Sequence, residues 1–307
     1  MDWPYIFQTA ISALSFGSFY ALGALGIGLL FSVLRLINFA HGDFITIGGY
    51  ALIVPSSAVV ATLSIGGFHP ALLAICIIVL VTFVALLSYF VVFQHVQNSS
   101  PATMMIVSFA LGYVLQNVIV MIYEGRPKAV NLFPELTGPI QIAEGVSVPL
   151  LQLVIIAVTW LLLVALVLFF RRTAAGVQMR AAAEDFRMAR MLGVRGKRLI
   201  ALAFILSGLL AGIMSLLFVT QKGVLMYNMG LSIMLFFFIA TVIGGMGSLI
   251  GAVVGGYAVG IASVVLSAVL PEDVRPFRDA CVFLLVIIIL LWRPQGLVLT
   301  KAARERV

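Results

Sequence analysis

The sequence predicts an all-α integral membrane protein, a polytopic bundle of about nine helical segments, with eight to ten as the range. Of its 307 residues, 63% are hydrophobic and only 9% are charged, whereas soluble domains carry about 25% charged residues. The mean hydropathy is +1.21. A membrane-spanning helix needs roughly 20 apolar residues, and uncharged runs of this length or more recur along the chain. These runs are 3–34, 44–123, 145–170, 199–221 and 223–271.

Proline and glycine residues divide these runs into candidate spans. The predicted spans are 8–33, 43–64, 70–94, 103–123, 149–170, 199–220, 225–243, 249–270 and 278–293. The last of them is short, so it either tilts outward or inserts only in part. We expect residues 1–307 to form a single transmembrane domain.

The basic residues predict the orientation of the chain. Eight of the 18 Lys and Arg residues lie between Arg171 and Arg198 with only two acidic residues, so the loop 171–198 holds a net +6 of the overall +7. Short loops rich in Lys and Arg stay in the cytoplasm. This places the N-terminus and the loop 124–147 outside and the C-terminus inside. The other basic residues on the predicted inner side include Arg35, Lys301, Arg304 and Arg306. The predicted membrane topology accounts for the net positive charge of the chain, so we expect no nucleic-acid partner.

Glycines repeat at helical spacing in two predicted spans. Gly208 and Gly212 are four residues apart, and Gly247, Gly251 and Gly255 follow a glycine cluster that predicts a sharp turn. This spacing lets helix backbones approach closely in lipid. Packing within the chain and contact between subunits both fit the pattern.

Motifs for catalysis and metal binding are absent from the sequence. It contains no G-x-x-x-x-G-K-[ST], no H-E-x-x-H and no G-x-S-x-G. His41, His69 and His95 are scattered, and Cys76 and Cys281 lie in apolar runs, so no metal site is expected. Any energy for transport must therefore come from a source that these motifs do not provide.

Asp43 is the one ionisable residue that raises the question of ion coupling, which usually needs a charge within the membrane. Because it stands at the start of a span, it also fits an acidic residue that stabilises a helix N-terminus. This scarcity of intramembrane charge argues against a stand-alone secondary transporter or channel, which remains the alternative from a different class.

The stretch MRAAAEDFRMARMLGV (179–194) predicts a short helix over 179–192 in the basic loop. Arg180 and Glu184 are spaced to form an i,i+4 pair, and Glu184 and Arg187 an i,i+3 pair. Gly193 is placed to end the helix in a left-handed conformation.

One face of this predicted helix carries Ala182, Phe186 and Ala189. The helix could lie on anionic lipid headgroups, or this face could dock into a groove on a soluble partner. The residues alone leave both interpretations open.

Several motifs carry a resemblance to a known family. AAAEDFRMARMLGV resembles the cytoplasmic coupling loop of ABC importer permeases. The further stretches RLINFAHGDFITIGGY (35–50), VLQN (114–117), GGMGSLIGAVVGG (244–256) and RPQGL (293–297) are similar to the branched-chain amino-acid ABC permease family. The resemblance extends over nearly the whole chain.

The resemblance implies a type II-like importer permease, not an enzyme, in the bacterial inner membrane. It also implies a second, LivM-like permease, two cytoplasmic ATPase subunits that bind ATP and Mg, and a periplasmic solute-binding protein received by the outer loop. No cofactor is expected in this chain. The implied solute is a branched-chain or related amino acid, with urea, short amides or another small polar solute as the alternative. The residues expected to couple to the ATPase are Arg180, Ala182, Glu184, Asp185, Phe186, Ala189, Arg190, Leu192 and Gly193.

A substrate path must offer polar groups, because a zwitterion in an apolar tunnel would lose its hydration uncompensated. Broken helices can also expose backbone groups where they line a cavity. The residues expected on the path are Asn38, His41, Asp43, Gln116, Asn117, Gly244 and Gly245. For Asn38 and His41, helix capping is the competing interpretation.

Overall fold

Long apolar helices make up most of the chain in the computed structural model, which describes residues 3–34, 37–56, 58–63, 70–97, 99–143 and 146–298. The helices are α1 (Trp3–Leu34), α2 (Ala40–Tyr50), α3 (Pro70–Ser88), α4 (Gln94–Val96), α5 (Pro101–Tyr123), α6 (Pro134–Thr137), α7 (Leu150–Arg172), α8 (Ala174–Glu184), α9 (Phe186–Met191), α10 (Gly196–Lys222), α11 (Met229–Gly244), α12 (Leu249–Val269) and α13 (Arg278–Trp292). A π-helical turn, Tyr89–Phe93, joins α3 to α4, and a 3₁₀ turn, Glu272–Phe277, precedes α13.

Six helices in the described part of the chain have the length and hydropathy to cross a membrane. They confirm a polytopic helical membrane protein. The spans are Trp3–Val33, Ala71–Val96, Pro101–Tyr123, Leu150–Arg172, Gly196–Lys222 and Leu249–Val269. Nine segments and the orientation of the termini stay predictions. Predicted features that lie outside the described residues are Arg35, His69, Lys301, Arg304 and Arg306.

The predicted span 43–64 is wrong, because the helix in this region, α2, has only 11 residues and ends at Tyr50. The chain then continues in extended form, and the Val54 amide donates to the Thr62 carbonyl at 2.8 Å. Pro55 cannot donate a backbone hydrogen bond, so it suits this irregular segment better than a helix interior. At the predicted spans 225–243 and 278–293, the helices α11 and α13 have 16 and 15 residues.

The helices gather in two compact units, and the prediction of a single domain stays a prediction. The first unit comprises Met1–Gly28, Glu135–Phe169 and Phe236–Val307, and the second comprises Leu29–Pro134 and Phe170–Leu235. In the second unit, the largely buried α10 packs against α2 and α3, and α2 also packs against α5. Gly208 and Gly212 lie where α10 meets α3, beside the backbones of Thr82 and Ile78.

In the first unit, α12 presents small residues on two sides. Gly251 and Gly255 lie against the backbone of α11, while Gly256 and Gly260 lie against the backbone of α1. The repeated glycines of α12 therefore contact helices of the same chain. Gly247 does not belong to this stripe, because it lies in the turn before α12 with φ +93°.

Within the described ranges, four short strands lie in the connections between helices. They are β1 (Lys128–Ala129), β2 (Pro139–Ala143), β3 (Val146–Pro149) and β4 (Val224–Leu225). β1 pairs antiparallel with β4, and β2 pairs antiparallel with β3. Three of these strands lie in the predicted outer loop 124–147 or at its border, and β4 follows the end of α10.

Glycine is required where α2 crosses the start of α11. A Cβ on Gly230 would occupy the space of the Gly42 carbonyl and lie 2.6 Å from Thr46 Oγ1. We expect Gly230→Ala to lower the free energy of unfolding by about 1–3 kcal/mol, as overpacking does, and this is measured as a lower thermal midpoint in detergent. Gly125→Ala is the control, since its Cβ would meet only Tyr227 at 3.9 Å. Equal midpoints for the two variants would contradict the close approach.

Candidate functional site

Polar residues on and before α2 are buried in the second unit. Asn38, His41 and Asp43 are all nearly inaccessible to solvent. The start of the helix is held against α5, because the Phe39 amide donates to Ser108 Oγ at 3.2 Å and the ring of Phe39 stacks on a neighbouring phenylalanine of α5. The short helix and the residues just before it thus place three polar side chains inside the unit.

Asp43 lies in the first turn of α2 and contacts α5. Its Oδ1 accepts a hydrogen bond from Gln116 Nε2 at 2.8 Å. Its other carboxylate oxygen lies against Gly112, where a Cβ would leave no room for it. The predicted path residues Asp43 and Gln116 are therefore in direct contact, and Gly112 makes the contact possible.

His41 faces α10, where its Nδ1 lies 3.0 Å from Ser207 Oγ. It does not cap α2, because it is the second residue of the helix and its side chain binds another element. Asn38 does stabilise the entry to α2, since its Oδ1 accepts a hydrogen bond from the Ala40 amide at 3.1 Å. Sequence reasoning missed Ser207, because a single serine in an apolar helix gives no sign of which neighbour it faces.

Buried polar atoms without a hydrogen-bond partner are concentrated around α2. Within the described residues, six buried side-chain atoms lack a partner. Four of the six lie on, just before or against α2: Asn38 Nδ2, His41 Nε2, Tyr50 Oη and Ser215 Oγ. Leaving such a group unsatisfied costs about 1–3 kcal/mol. A polar ligand beside α2 could form hydrogen bonds with these atoms. In the second unit, α2 is therefore the place where such a ligand would be most strongly stabilised. We call Asn38, His41, Asp43, Gln116, Ser207 and Ser215 the α2 cluster.

Asn117, Gly244 and Gly245 do not join the α2 cluster. Asn117 is exposed, and its side chain donates to the Tyr113 carbonyl of its own helix. Gly244, the last residue of α11, and Gly245 belong to the first unit, and both are buried.

The glycine turn after α11 binds the C-terminal segment instead of exposing its backbone. The Leu297 amide donates to the Ile243 carbonyl at 2.7 Å, and the Val298 amide donates to the Gly244 carbonyl at 3.1 Å. Gly245, with φ +106°, lets Val298 approach closely. The sequence-based reason for placing Gly244 and Gly245 on the path was free backbone at a broken helix, and it does not hold.

The basic loop contains two helices where the sequence predicts one. Asp185 has extended backbone angles, φ −143° and ψ +104°, and its side chain caps α9 by accepting a hydrogen bond from the Met188 amide at 2.9 Å. Arg187 therefore leaves the helical face of Glu184, and that expected pair does not form. Arg180 and Glu184 share α8 but do not pair either, as is common for exposed ions.

The faces of the loop also differ from the prediction. Ala182 and Ala189 are buried against the chain itself, and the half-buried ring of Phe186 packs at the start of α10 beside Gly196. The two alanines are therefore not accessible to a partner in this structure, and a docking role for this face stays a prediction. The exposed apolar residues of α9 and the turn that follows it are Met188, Met191 and Leu192, the last with 80% of its surface accessible. We call these three residues the apolar knob.

A groove of about 870 Å³ lies under the loop, between α8, α9 and the ends of α1, α5 and α10. Its lining includes apolar side chains from Val33, Met104 and Ile200. Cationic residues outnumber acidic ones in it, with five against two. The charged lining residues are Glu184, Asp185, Arg187, Arg190, Arg195, Lys197 and Arg198.

A single helix connects the loop to the α2 cluster. α10 begins at Gly196, three residues after the left-handed turn at Gly193, and runs without a break for 27 residues. It passes the cluster at Ser207 and Ser215 and continues into β4. At 1.5 Å per residue it is about 40 Å long, so one continuous helix extends from the basic loop past the α2 cluster.

The sequence profile of a family of permease components of branched-chain amino acid transport systems matches residues 9–291. The chain belongs to this family. The permease is 30% identical over 296 residues to the high-affinity branched-chain amino acid permease BraD of Pseudomonas aeruginosa, and this covers 94% of each chain.

Other relatives agree with this assignment. The permease is 31% identical to LivH of Escherichia coli K12 over 95% of each chain, and 27% identical to a probable LivH of Methanocaldococcus jannaschii over 81% of its own length and 78% of that relative's. No solved structure matches significantly. As a family member, the permease is a transport subunit and not an enzyme. Its described residues hold no group of three His, Cys, Asp or Glu side chains able to bind a metal.

Proposed function

We propose that this permease imports branched-chain amino acids across a bacterial inner membrane as part of an ATP-driven complex. Its partners are a second, LivM-like permease, two cytoplasmic ATPase subunits that bind ATP and Mg, and a periplasmic solute-binding protein. The relatives' names supply the solute class. The six apolar spans and the family assignment support the membrane location.

The observation that carries the proposal is the concentration of unsatisfied polar atoms around α2. A chain embedded in lipid gains nothing from burying four unpaired polar atoms in one region. They suit a path whose groups bind a polar solute in another conformation of the complex. Because α2 is short and packs against α3, α5 and α10, small movements of these helices change access to it.

The α2 cluster has the chemistry of an amino-acid site. The Asp43 carboxylate is a partner for the solute's ammonium group, while Asn38 Nδ2 and the Ser215 hydroxyl can donate to its carboxylate. A carboxylate is not required to bind urea or a short amide. Asp43 therefore favours a zwitterionic solute over the neutral alternative.

The basic loop is proposed to bind one ATPase subunit. The apolar knob, not the buried Ala face, enters the partner, and the surrounding arginines favour an acidic rim on it. Closure of the ATPases then moves the loop, and α10 carries the movement to Ser207 and Ser215.

The turn at Gly193 tests this coupling. Gly193 has φ +91°, and its amide donates to the Arg190 carbonyl. Proline fixes φ near −65° and has no amide hydrogen, so we expect Gly193→Pro to lower uptake per ATP hydrolysed at least tenfold. Gly193→Asn is the matched control, because asparagine tolerates the left-handed region. An unchanged ratio in the proline variant would show that the turn plays no part in coupling.

Reconstitution tests the proposed function. The permease is purified with the subunits that accompany it, placed in proteoliposomes and supplied with ATP and the binding protein, and labelled leucine uptake is measured. We expect ATP-dependent uptake that valine and isoleucine inhibit and urea does not. Uptake inhibited by urea or acetamide alone would favour the small-amide alternative, and ATP-independent uptake by the permease alone would favour a stand-alone carrier.

A further inference from the structure

The chain after α2 folds back over the end of that helix. We call residues 51–56 and 58–63 the outer strap. Besides the hydrogen bond from Val54 to Thr62, Ile53 pairs with Leu63 as an antiparallel bridge, so the strap doubles back on itself. Within the strap, Leu52 and Ile53 are buried. The strap is thus an ordered part of the second unit.

Backbone hydrogen bonds join the outer strap to β1. The Ala61 amide donates to the Ala129 carbonyl at 2.9 Å, and the Ala129 amide donates to the Val59 carbonyl at 2.8 Å. β1 pairs in turn with β4, which directly follows α10. Strap, β1 and β4 therefore lie side by side at the end of α10 opposite the basic loop.

These segments cover the last turn of α2. Tyr50 is almost fully buried, and its ring packs against that of Tyr123 with a centroid distance of 5.1 Å. A Cβ on Gly49 would lie only 2.6 Å from Leu225 Cδ2 of β4. His41 is nine residues earlier on the same helix, which places it about 13 Å along the axis from the covered end.

Lys128 fixes the outer strap from within. Its residue surface is 1% exposed, and its Nζ donates to the Ser56 carbonyl at 2.5 Å and to the Ala58 carbonyl at 3.0 Å. No carboxylate of the described residues lies within ion-pair distance of it. A buried ammonium with only neutral acceptors is costly, so stability alone would favour an apolar side chain here.

We propose that the outer strap closes the outer end of the substrate path and that Lys128 is the positioning residue that holds it shut. The proposal rests on the proposed function, since it needs α2 to line that path. For a solute to reach the α2 cluster from outside, the strap must separate from β1, and Lys128 must exchange its two carbonyl acceptors for water. Because β4 continues α10, a movement that begins at the basic loop reaches this contact.

A disulfide across the contact tests the closure. Val60 and Ala129 form a parallel bridge, and such neighbours lie about 5 Å apart, within the range of a disulfide. Val60→Cys and Ala129→Cys are introduced together into a chain in which Cys76 and Cys281 are replaced by serine, and the complete transporter is reconstituted. Oxidation is expected to reduce uptake at least tenfold, and a reductant to restore it.

The control is the single variant Val60→Cys in the same background without Cys76 and Cys281, which has no second cysteine at Ala129 and cannot form the cross-link. Treatment of this variant with the oxidant is expected to leave uptake unchanged. Mass spectrometry verifies that the Val60–Ala129 cross-link has formed in the double variant. Normal uptake by a fully cross-linked Val60–Ala129 variant would overturn the proposal. That outcome differs from failure of the proposed function, in which the uncross-linked transporter itself would not import amino acids.

A second variant tests Lys128 without a cross-link. Lys128→Met removes the two hydrogen bonds to the strap, so the closed state should be held less firmly and ATP hydrolysis without the binding protein should rise severalfold. Lys222→Met is the matched control, because Lys222 is an exposed lysine at the end of α10 beside the same sheet. If Lys128→Met lowers only the yield of the complex and leaves the ratio of hydrolysis with and without binding protein unchanged, Lys128 does not hold a closure.

Discussion

Replacing Leu192 with aspartate is expected to prevent productive binding of the ATPase and to reduce ATP-driven uptake by more than tenfold. Leu192 is the most exposed residue of the apolar knob. Loss of a central apolar anchor costs an interface about 2 kcal/mol or more, which is roughly 30-fold in affinity. A carboxylate at the same place adds the cost of an unpaired buried charge. The measurements are co-purification of the ATPase and uptake per ATP hydrolysed.

Leu192→Met is the matched control, since methionine keeps an apolar side chain of similar volume and occurs twice in the knob already. We expect it to retain most uptake. The aspartate variant should still insert in the membrane in normal amount, because Leu192 does not contribute to the buried core. If it co-purified with the ATPase as well as the wild-type chain does, the knob would not be the docking surface.

Replacing Asp43 with asparagine is expected to lower leucine uptake by roughly 30-fold. The amide has the size of the carboxylate and can still accept the hydrogen bond from Gln116, so the packing of α2 against α5 is retained. Only the charge that would bind the solute's ammonium group is lost. Removing one partner of a buried, hydrogen-bonded charge pair costs about 2 kcal/mol or more. Initial rates over a range of leucine concentrations separate weaker binding from slower transport.

Asp273→Asn is the control, because Asp273 is an exposed carboxylate in the turn before α13. Its uptake should equal that of the wild-type chain. Uptake by Asp43→Asn should also remain independent of external pH, since ATP and not a proton gradient drives transport. Unchanged leucine uptake would remove Asp43 from the path, and a new strong dependence on external pH would support a proton-coupled carrier.

The membrane class and the basic loop were predictable because each depends on composition over many residues. Several long uncharged runs together indicate a membrane protein, and eight basic residues in one loop stand out against 9% charge overall. The left-handed turn at Gly193 was predictable too, since glycine is the residue that adopts it most readily.

The short length of α2 was not predictable from hydropathy. A uniformly apolar run gives the same signal for a helix and for a buried extended segment, and residues 43–64 contain both. Pro55 and the serines beside it were the local sign of the change. The two members of the α2 cluster on α10, Ser207 and Ser215, could not be predicted for a related reason. Side-chain contacts between distant segments leave no periodic pattern in the sequence of either segment.

The apolar face predicted for the loop differs from the observed one because the prediction assumed one continuous helix. With α9 starting anew at Asp185, Phe186 and Ala189 turn toward the chain and Met191 and Leu192 turn outward. The sequence did contain a sign of this second helix, because aspartate is a common residue at the start of a helix. Its side chain accepts a hydrogen bond from the backbone amide three residues later.

Site-specific photo-cross-linking from Leu192 tests most directly whether the basic loop is held by an ATPase. A photoreactive amino acid is placed at residue 192 in the full complex in native membranes, and a second sample carries it at Val265, an exposed residue of the apolar span α12. We expect irradiation to join residue 192 to an ATPase subunit, while residue 265 gives no such product. Adducts with lipid alone at residue 192, in a complex that hydrolyses ATP, would contradict this expectation.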